Sequence, residues 1–244
     1  MNIIPNMSYA EKMARAKSKK EIILKFLASG EVFSTVNVLA TLLQMSRAVV
    51  LTCLNSMITD GSIKSESHRV DAHNLLIYGI TSHGLALADQ LDNPYFELGR
   101  TNSNFISHRI DGQIMRLKAE NAGFTDWTPE RVLRLKSGNN TLKKVPDALC
   151  IAPGVEHYRC AIEIERSVKM WKRYQEIIPI YLTDITAKRL DIVYYLSPDG
   201  LEKRVEKTFR KVAFVKLNGE SVKLEERHFS RFKFISFSDF CRSK

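Results

Sequence analysis

Paired cysteines, paired histidines and phosphate-cradling glycine loops are all missing from this chain. Its four cysteines (Cys53, Cys150, Cys160 and Cys241) are scattered over 244 residues with no C-x-x-C spacing. A disulfide framework or a structural zinc site therefore has no signature, and the cysteines read as small residues of a reducing cytoplasm. The six histidines (68, 73, 83, 108, 157 and 228) form no H-x-H pair. Without a Walker-type glycine loop or a G-x-S-x-G elbow, ATP hydrolysis and serine hydrolysis lack motif support. No apolar run approaches the ~20 residues that span a bilayer. The opening "MNIIPNMSYAEKMARAKSKK" has no signal-peptide pattern. The expectation is a cytoplasmic protein without membrane insertion.

What the chain does have is positive charge. Lys and Arg total 37 against 27 Asp and Glu, giving a net charge of +10, which suggests a polyanionic partner such as nucleic acid. Residues 1–98 hold 9 bases and 9 acids, residues 99–198 hold 16 and 11, and residues 199–244 hold 12 and 7. The excess lies in the second and third segments. In the first, the bases gather at Lys12, Arg15, Lys17, Lys19, Lys20 and Lys25.

Residues 1–98 read as a winged helix-turn-helix domain. "KKEIILKFLA" (19–28) has helical apolar spacing closed by Gly30. Ser34 is placed to cap a second helix running to about Gln44, and Ser46 a third ending at Gly61. The three-residue break between them is helix-turn-helix spacing. "SIKSESHRV" and "HNLLIYGIT" form a hairpin, the wing, and "SHGLALADQL" a closing helix. On the polar side of the third helix, Ser46, Arg47, Thr52 and Asn55 are the candidates for contact with double-stranded DNA. "LDNPYFELGRTNSN" (91–104) reads as the joint.

Residues 99–244 read as a helix over about 103–122 and a strand "RVLRLK" (131–136). The turn "SGNN" and the strands "VPDALCI" (145–151) and "YRCAIEIE" (158–165) follow. A long helix from Ser167 toward Lys188, kinked at Pro179, leads to the strand "DIVYYL" (191–196), and one more helix and strand complete the chain. The order is α-β-β-β-α-β, an α+β or α/β arrangement.

Three acids stand where a core hairpin belongs. With a loop over Pro153–His157, residues whose numbers sum to 310 face each other, so Asp147 lies opposite Glu163. Alternation adds Glu165 to that face and turns Ile162 and Ile164 to the other. Opposed like charges are unfavourable and desolvation makes them more so. A Mg²⁺ or Mn²⁺ ion on Asp147, Glu163 and Glu165 would reverse that, because hard oxygen ligands select such ions. Lys169, in the first turn of the next helix, would hold a scissile phosphate, and Arg173 would follow one turn on. The bland counterpart is a solvated hairpin face with surface ion pairs.

Pro146-Asp147, Glu163-Ile164-Glu165 and the α-β-β-β-α-β order resemble the PD-(D/E)xK superfamily, the restriction-endonuclease-like nucleases. Glu165 stands where that motif usually has lysine, and Lys169 stands where the lysine of some members has migrated. Over about residues 20–196, a winged helix, "SHRIDGQI", "PDA", "EIERS" and "KRY" are similar to replication-relaxation and MobC-type plasmid mobilisation proteins. The resemblance implies a relaxase that nicks one strand at a plasmid transfer origin. Asp147 and Glu163 would bind the ion, Glu165 would orient water or a second ion, and Lys169 would stabilise the phosphate. An accessory mobilisation protein and a coupling protein are the further partners it implies. The alternatives are a restriction-like nuclease cutting both strands as a dimer and a non-catalytic regulator on a nuclease scaffold. Most relaxases use a histidine cluster and a tyrosine nucleophile. The histidine cluster is absent here, while Tyr174 remains a candidate for attack. His108 and Glu120 are weaker candidates for contact with phosphate and metal.

Overall fold

The computed structural model describes residues 8–70, 72–135, 142–217 and 219–242. The chain is a mixed α+β protein whose internal contacts divide it into two units, Met1–Ile110 and Asp111–Lys244. Among the described residues no single helix is long and apolar enough to cross a membrane.

In the first unit, α1 (Tyr9–Phe26) starts earlier than its apolar spacing suggests, because Ser8 and Glu11 close a capping box ahead of its basic turns. It ends in a widened turn, Leu27–Glu31, where Gly30 takes φ 103°. The strand β1 (Phe33–Ser34) leads to α2 (Val36–Leu43), capped by the Thr35 hydroxyl rather than by Ser34. Gln44 turns the chain in the left-handed region, and α3 (Arg47–Thr59) leaves at 108° to α2. Val50, Leu54 and Met57 of α3 are buried. The strands β2 (Ile63–Val70) and β3 (His73–Ile80) pair antiparallel, and β1 completes the sheet in the order β1-β3-β2. A short helix α4 (Ser82–Leu87) follows, capped by Thr81.

A core cluster of Val32, Phe33, Ile77, Phe96 and Ile106 closes this unit. Gly79 is required there: a Cβ would lie 2.0 Å from the Phe96 ring. Ile106 belongs to α5 (Ser103–Asn121), and the division between units falls inside that helix, beyond the sequence boundary at residue 98.

The second unit is built on a five-stranded sheet in the order β10-β7-β6-β5-β4. Its strands are β4 (Thr125–Pro129), β5 (Ala148–Ile151), β6 (Arg159–Ile164), β7 (Ile192–Ser197) and β10 (Phe232–Ser236). β4, β5 and β6 are antiparallel neighbours, whereas β6, β7 and β10 run parallel. Parallel pairing needs a crossover, which α7 (Trp171–Thr186) supplies between β6 and β7. Two more helices, α8 (Glu202–Phe209) and α9 (Glu226–Phe229), and a small hairpin of β8 (Phe214–Leu217) and β9 (Glu220–Lys223) fill the C-terminal part.

The segment 131–135 is not a strand. It belongs to α6 (Glu130–Leu135), where Arg134 pairs with Glu130 four residues back and the adjacent Val132 and Leu133 are both buried. Adjacent buried residues suit a helix and not an alternating strand. The strand of the fold lies just before it, at β4. The "SGNN" turn lies outside the described residues.

Each face of the sheet has its own cluster. Met115 and Ala119 of α5 pack with Ala148, Cys150, Cys160, Ile162 and Ile164 on one face. Cys150 and Cys160 are register partners in the β5–β6 hairpin and both are buried as free cysteines. On the other face Tyr174, Ile177, Ile178 and Tyr181 of α7 and Val205 and Phe209 of α8 pack on Ala161, Val193 and Tyr195.

Candidate functional site

The hairpin register is the one required to oppose the acids. Ala148 pairs with Ile162 and Cys150 with Cys160, so the partner numbers sum to 310, and the Ala152 amide donates to the Tyr158 carbonyl at the loop. One step further, the Asp147 carboxylate accepts from the Ile164 amide at 2.7 Å. That amide lies between Glu163 and Glu165 in the chain, so the bond holds Asp147 against the backbone that carries both glutamates.

These are not solvated residues. Glu163 is 5% exposed and Glu165 3%. Glu163 projects from β6 toward the α7 side of the sheet, beside Tyr195 of β7 in register, and Glu165 follows just past the end of the strand. Burial pushes the Glu163 carboxyl above its ordinary range; the Lys144 ammonium pulls it back and the Asp147 charge pushes it up again.

Two bases meet the two buried acids. Lys169 donates to Glu165 at 2.8 Å with its side chain 37% exposed. It is not in the first turn of the helix: Met170 is the extended N-cap and α7 begins at Trp171, so Lys169 reaches Glu165 from the connection. Lys144 was not evident from the sequence. Its ammonium bonds to Glu163 and, at 3.1 Å, to the Tyr181 hydroxyl, which itself donates to Glu163. The available signals were a lysine three residues before Asp147 and a tyrosine seven residues after Tyr174, on the same side of α7.

Tyr195, which the apolar run of its strand marks as a core residue, also borders the acids. It is 1% exposed, and its hydroxyl has no hydrogen-bond partner among the described residues. Burial and then the charges of Glu163 and Glu165 hold its pKa well above that of an ordinary phenol.

The remaining candidates divide. Tyr174 is fully buried, its hydroxyl accepting from the Lys169 amide at 3.4 Å, and burial followed by the Glu165 charge raises its pKa. Arg173 is exposed and pairs with Glu176, not with the acids. Glu120 pairs with Arg116 at 2.7 Å, and His108 lies on α5. In the first unit, Ser46, Arg47, Thr52 and Asn55 are all exposed on or at the start of α3. The hairpin adds exposed Lys64, Arg69, His73 and Asn74, which the sequence reading passed over.

Among the described residues no group of three or more His, Cys, Asp or Glu side chains is arranged so that it could hold a metal ion, the expected set of Asp147, Glu163 and Glu165 included. A Mg²⁺ ion needs less, since one or two carboxylates with water and phosphate suffice. The donor chemistry fits that smaller demand: Asp147 and Glu163 offer hard oxygens in a site where a buried tyrosine hydroxyl is left without a partner.

No protein family and no curated protein matches the chain. Among solved structures, an apo form of ZitR from Lactococcus lactis is similar at 25% identity and a TM-score of 0.27, over 34% of this chain and 70% of that one.

Proposed function

We propose that the chain is a metal-dependent DNA endonuclease, with a winged helix-turn-helix unit for binding duplex DNA and a restriction-endonuclease-like unit for cutting it. The further reading is that it nicks one strand at a plasmid transfer origin to start mobilisation. The observation that carries the proposal is the pair of buried carboxylates, Glu163 and Glu165, with Asp147 hydrogen-bonded to the amide between them. Burying like charges together is costly unless something of opposite charge belongs with them. The mixed sheet, with antiparallel β4, β5 and β6 followed by the parallel β7, supports the order that the nuclease resemblance implies, with α6 added between β4 and β5. In the first unit, the 108° pair of α2 and α3 with the β2–β3 hairpin agrees with a winged helix.

In this reading Asp147 and Glu163 hold Mg²⁺ or Mn²⁺. A bound ion supplies a water of lowered pKa and offsets charge on the phosphoryl group. Glu165 orients that water. Lys169, anchored on Glu165 yet 37% exposed, presents its ammonium to a phosphate oxygen. The cationic excess of residues 99–244 favours the DNA backbone as ligand.

One observation favours a second reading. Glu163 and Glu165 each already have a lysine partner, as a DNA-binding regulator on a non-catalytic scaffold would require. Supercoiled plasmid carrying the cognate mobilisation region, incubated with and without Mg²⁺ or Mn²⁺, separates the readings. Metal-dependent open circles support the nicking enzyme. Linear product identifies a double-strand cutter, and tight binding without cleavage identifies the regulator.

A further inference from the structure

Lys144 lies on no helix or strand, in the segment between α6 and β5. Its ammonium is held by Glu163 and by the Tyr181 hydroxyl and lies 5.2 Å from the centroid of the Tyr181 ring. It nevertheless has a way out, because its side chain is 21% exposed whereas that of Glu163 is 7% exposed. A lysine stem is long and flexible, and its ammonium is a compact point charge that can change partners.

Two of the three carboxylates already carry an ammonium partner without any ion. Asp147, Glu163 and Glu165 bring three negative charges, and Lys144 and Lys169 bring two positive ones on Glu163 and Glu165. A divalent cation on Glu163 would sit beside the Lys144 ammonium as a like charge, competing for the same carboxylate oxygens. The two cannot both be accommodated at full strength.

We propose that Lys144 is a built-in counter-ion for the acid cluster, which a divalent cation at Asp147 and Glu163 must displace toward solvent. The inference rests on the metal-site reading given above and adds to it a gate on loading: the metal-free cluster is held together by Lys144, and metal affinity is lowered by its presence. Tyr181 takes part by bonding both the lysine and the carboxylate, so that Glu163 stays in place when the ammonium leaves.

The test uses the full chain, Mn²⁺ alone and no DNA. Free Mn²⁺ is counted by electron paramagnetic resonance in titrations of the parent, Lys144→Met and Asp147→Asn. Lys144→Met is expected to bind Mn²⁺ about 10-fold more tightly than the parent, the scale on which one adjacent charge moves an ionic equilibrium. Asp147→Asn is expected to lose the binding. In parallel, brief acylation of the parent followed by mass spectrometry reads the exposure of each lysine. Lys144 should label several-fold faster with Mn²⁺ than without, while lysines remote from the cluster should not change. This second measurement decides the matter even where Lys144→Met fails to fold.

Equal or weaker Mn²⁺ binding by Lys144→Met, or Lys144 labelling indifferent to Mn²⁺, overturns the counter-ion role. If the parent still binds Mn²⁺ through Asp147 in that case, the metal site itself stands. Absence of Mn²⁺ binding at millimolar concentration in both the parent and Lys144→Met overturns the two together.

Discussion

The side chain of Asp147 accepts a hydrogen bond from the Ile164 amide while its charge bears on that of Glu163. The two effects separate by substitution. Asp147→Ala strands the Ile164 amide and should lower stability by about 1–3 kcal/mol, the usual penalty for an unmade buried hydrogen bond. Asp147→Asn keeps an acceptor oxygen and relieves the repulsion, so it should hold or raise the urea midpoint in the absence of metal. Equal stability loss in both variants would mean that the hydrogen bond is not what the carboxylate contributes. Sequence alone suggested only the relief of repulsion, because the amide contact depends on how β5 enters its strand. A fully buried hydroxyl with a raised pKa is a poor nucleophile. Tyr174→Phe should therefore nick within a few-fold of the parent, and Lys169→Ala far more slowly. The nicked DNA should carry a free 5′ phosphate. A labelled strand that migrates with the protein on a denaturing gel, and is lost in Tyr174→Phe, would contradict this.

Elements were legible where local chemistry decided them. The five-residue loop Pro153–His157 fixed the β5–β6 register, and the break between α2 and α3 fixed their turn. Elements defined by tertiary packing were not. β4 reads "TDWTP", with an acid and a proline that argue against a strand, yet it is tolerated at the edge of its sheet, where one side makes no ladder. The apolar residues of 131–135 drew the strand assignment to their own segment instead. Lys169 was placed in a helix because nothing local announced Met170 as the cap, and Lys144 stayed hidden because its partners are tertiary. The start of α5 follows the same rule. Its Ile106 is fully buried in the core of the first unit, Arg109 lies 5.8 Å from the Phe33 ring centroid, and Ser103 Oγ lies 3.3 Å from His68 Nδ1. A fragment of residues 1–98 should thus unfold at lower urea than one of residues 1–110, with about 2–3 kcal/mol lost from Ile106 burial alone. Coincident unfolding curves by circular dichroism would place the start of α5 outside that core.

At the scale of the whole molecule, the account divides the labour between a unit that presents the exposed face of α3 and a unit that gathers carboxylates beneath α7. The positive charge that recommends DNA as the ligand is concentrated in the second unit, not in the helix pair. Backbone affinity and its salt dependence should accordingly follow the second unit, and choice of site the first. The acid cluster is where the account stands or falls. The most direct measurement is the single-turnover rate of plasmid nicking as a function of Mn²⁺, for the parent and Asp147→Asn side by side, with DNA binding measured on the same samples. The account predicts a parent rate that rises with Mn²⁺ and saturates, and a variant that binds DNA within a few-fold of the parent yet nicks about 100-fold more slowly or less, as loss of a metal ligand entails. Nicking that ignores Mn²⁺, or a variant that nicks within a few-fold of the parent, would contradict it.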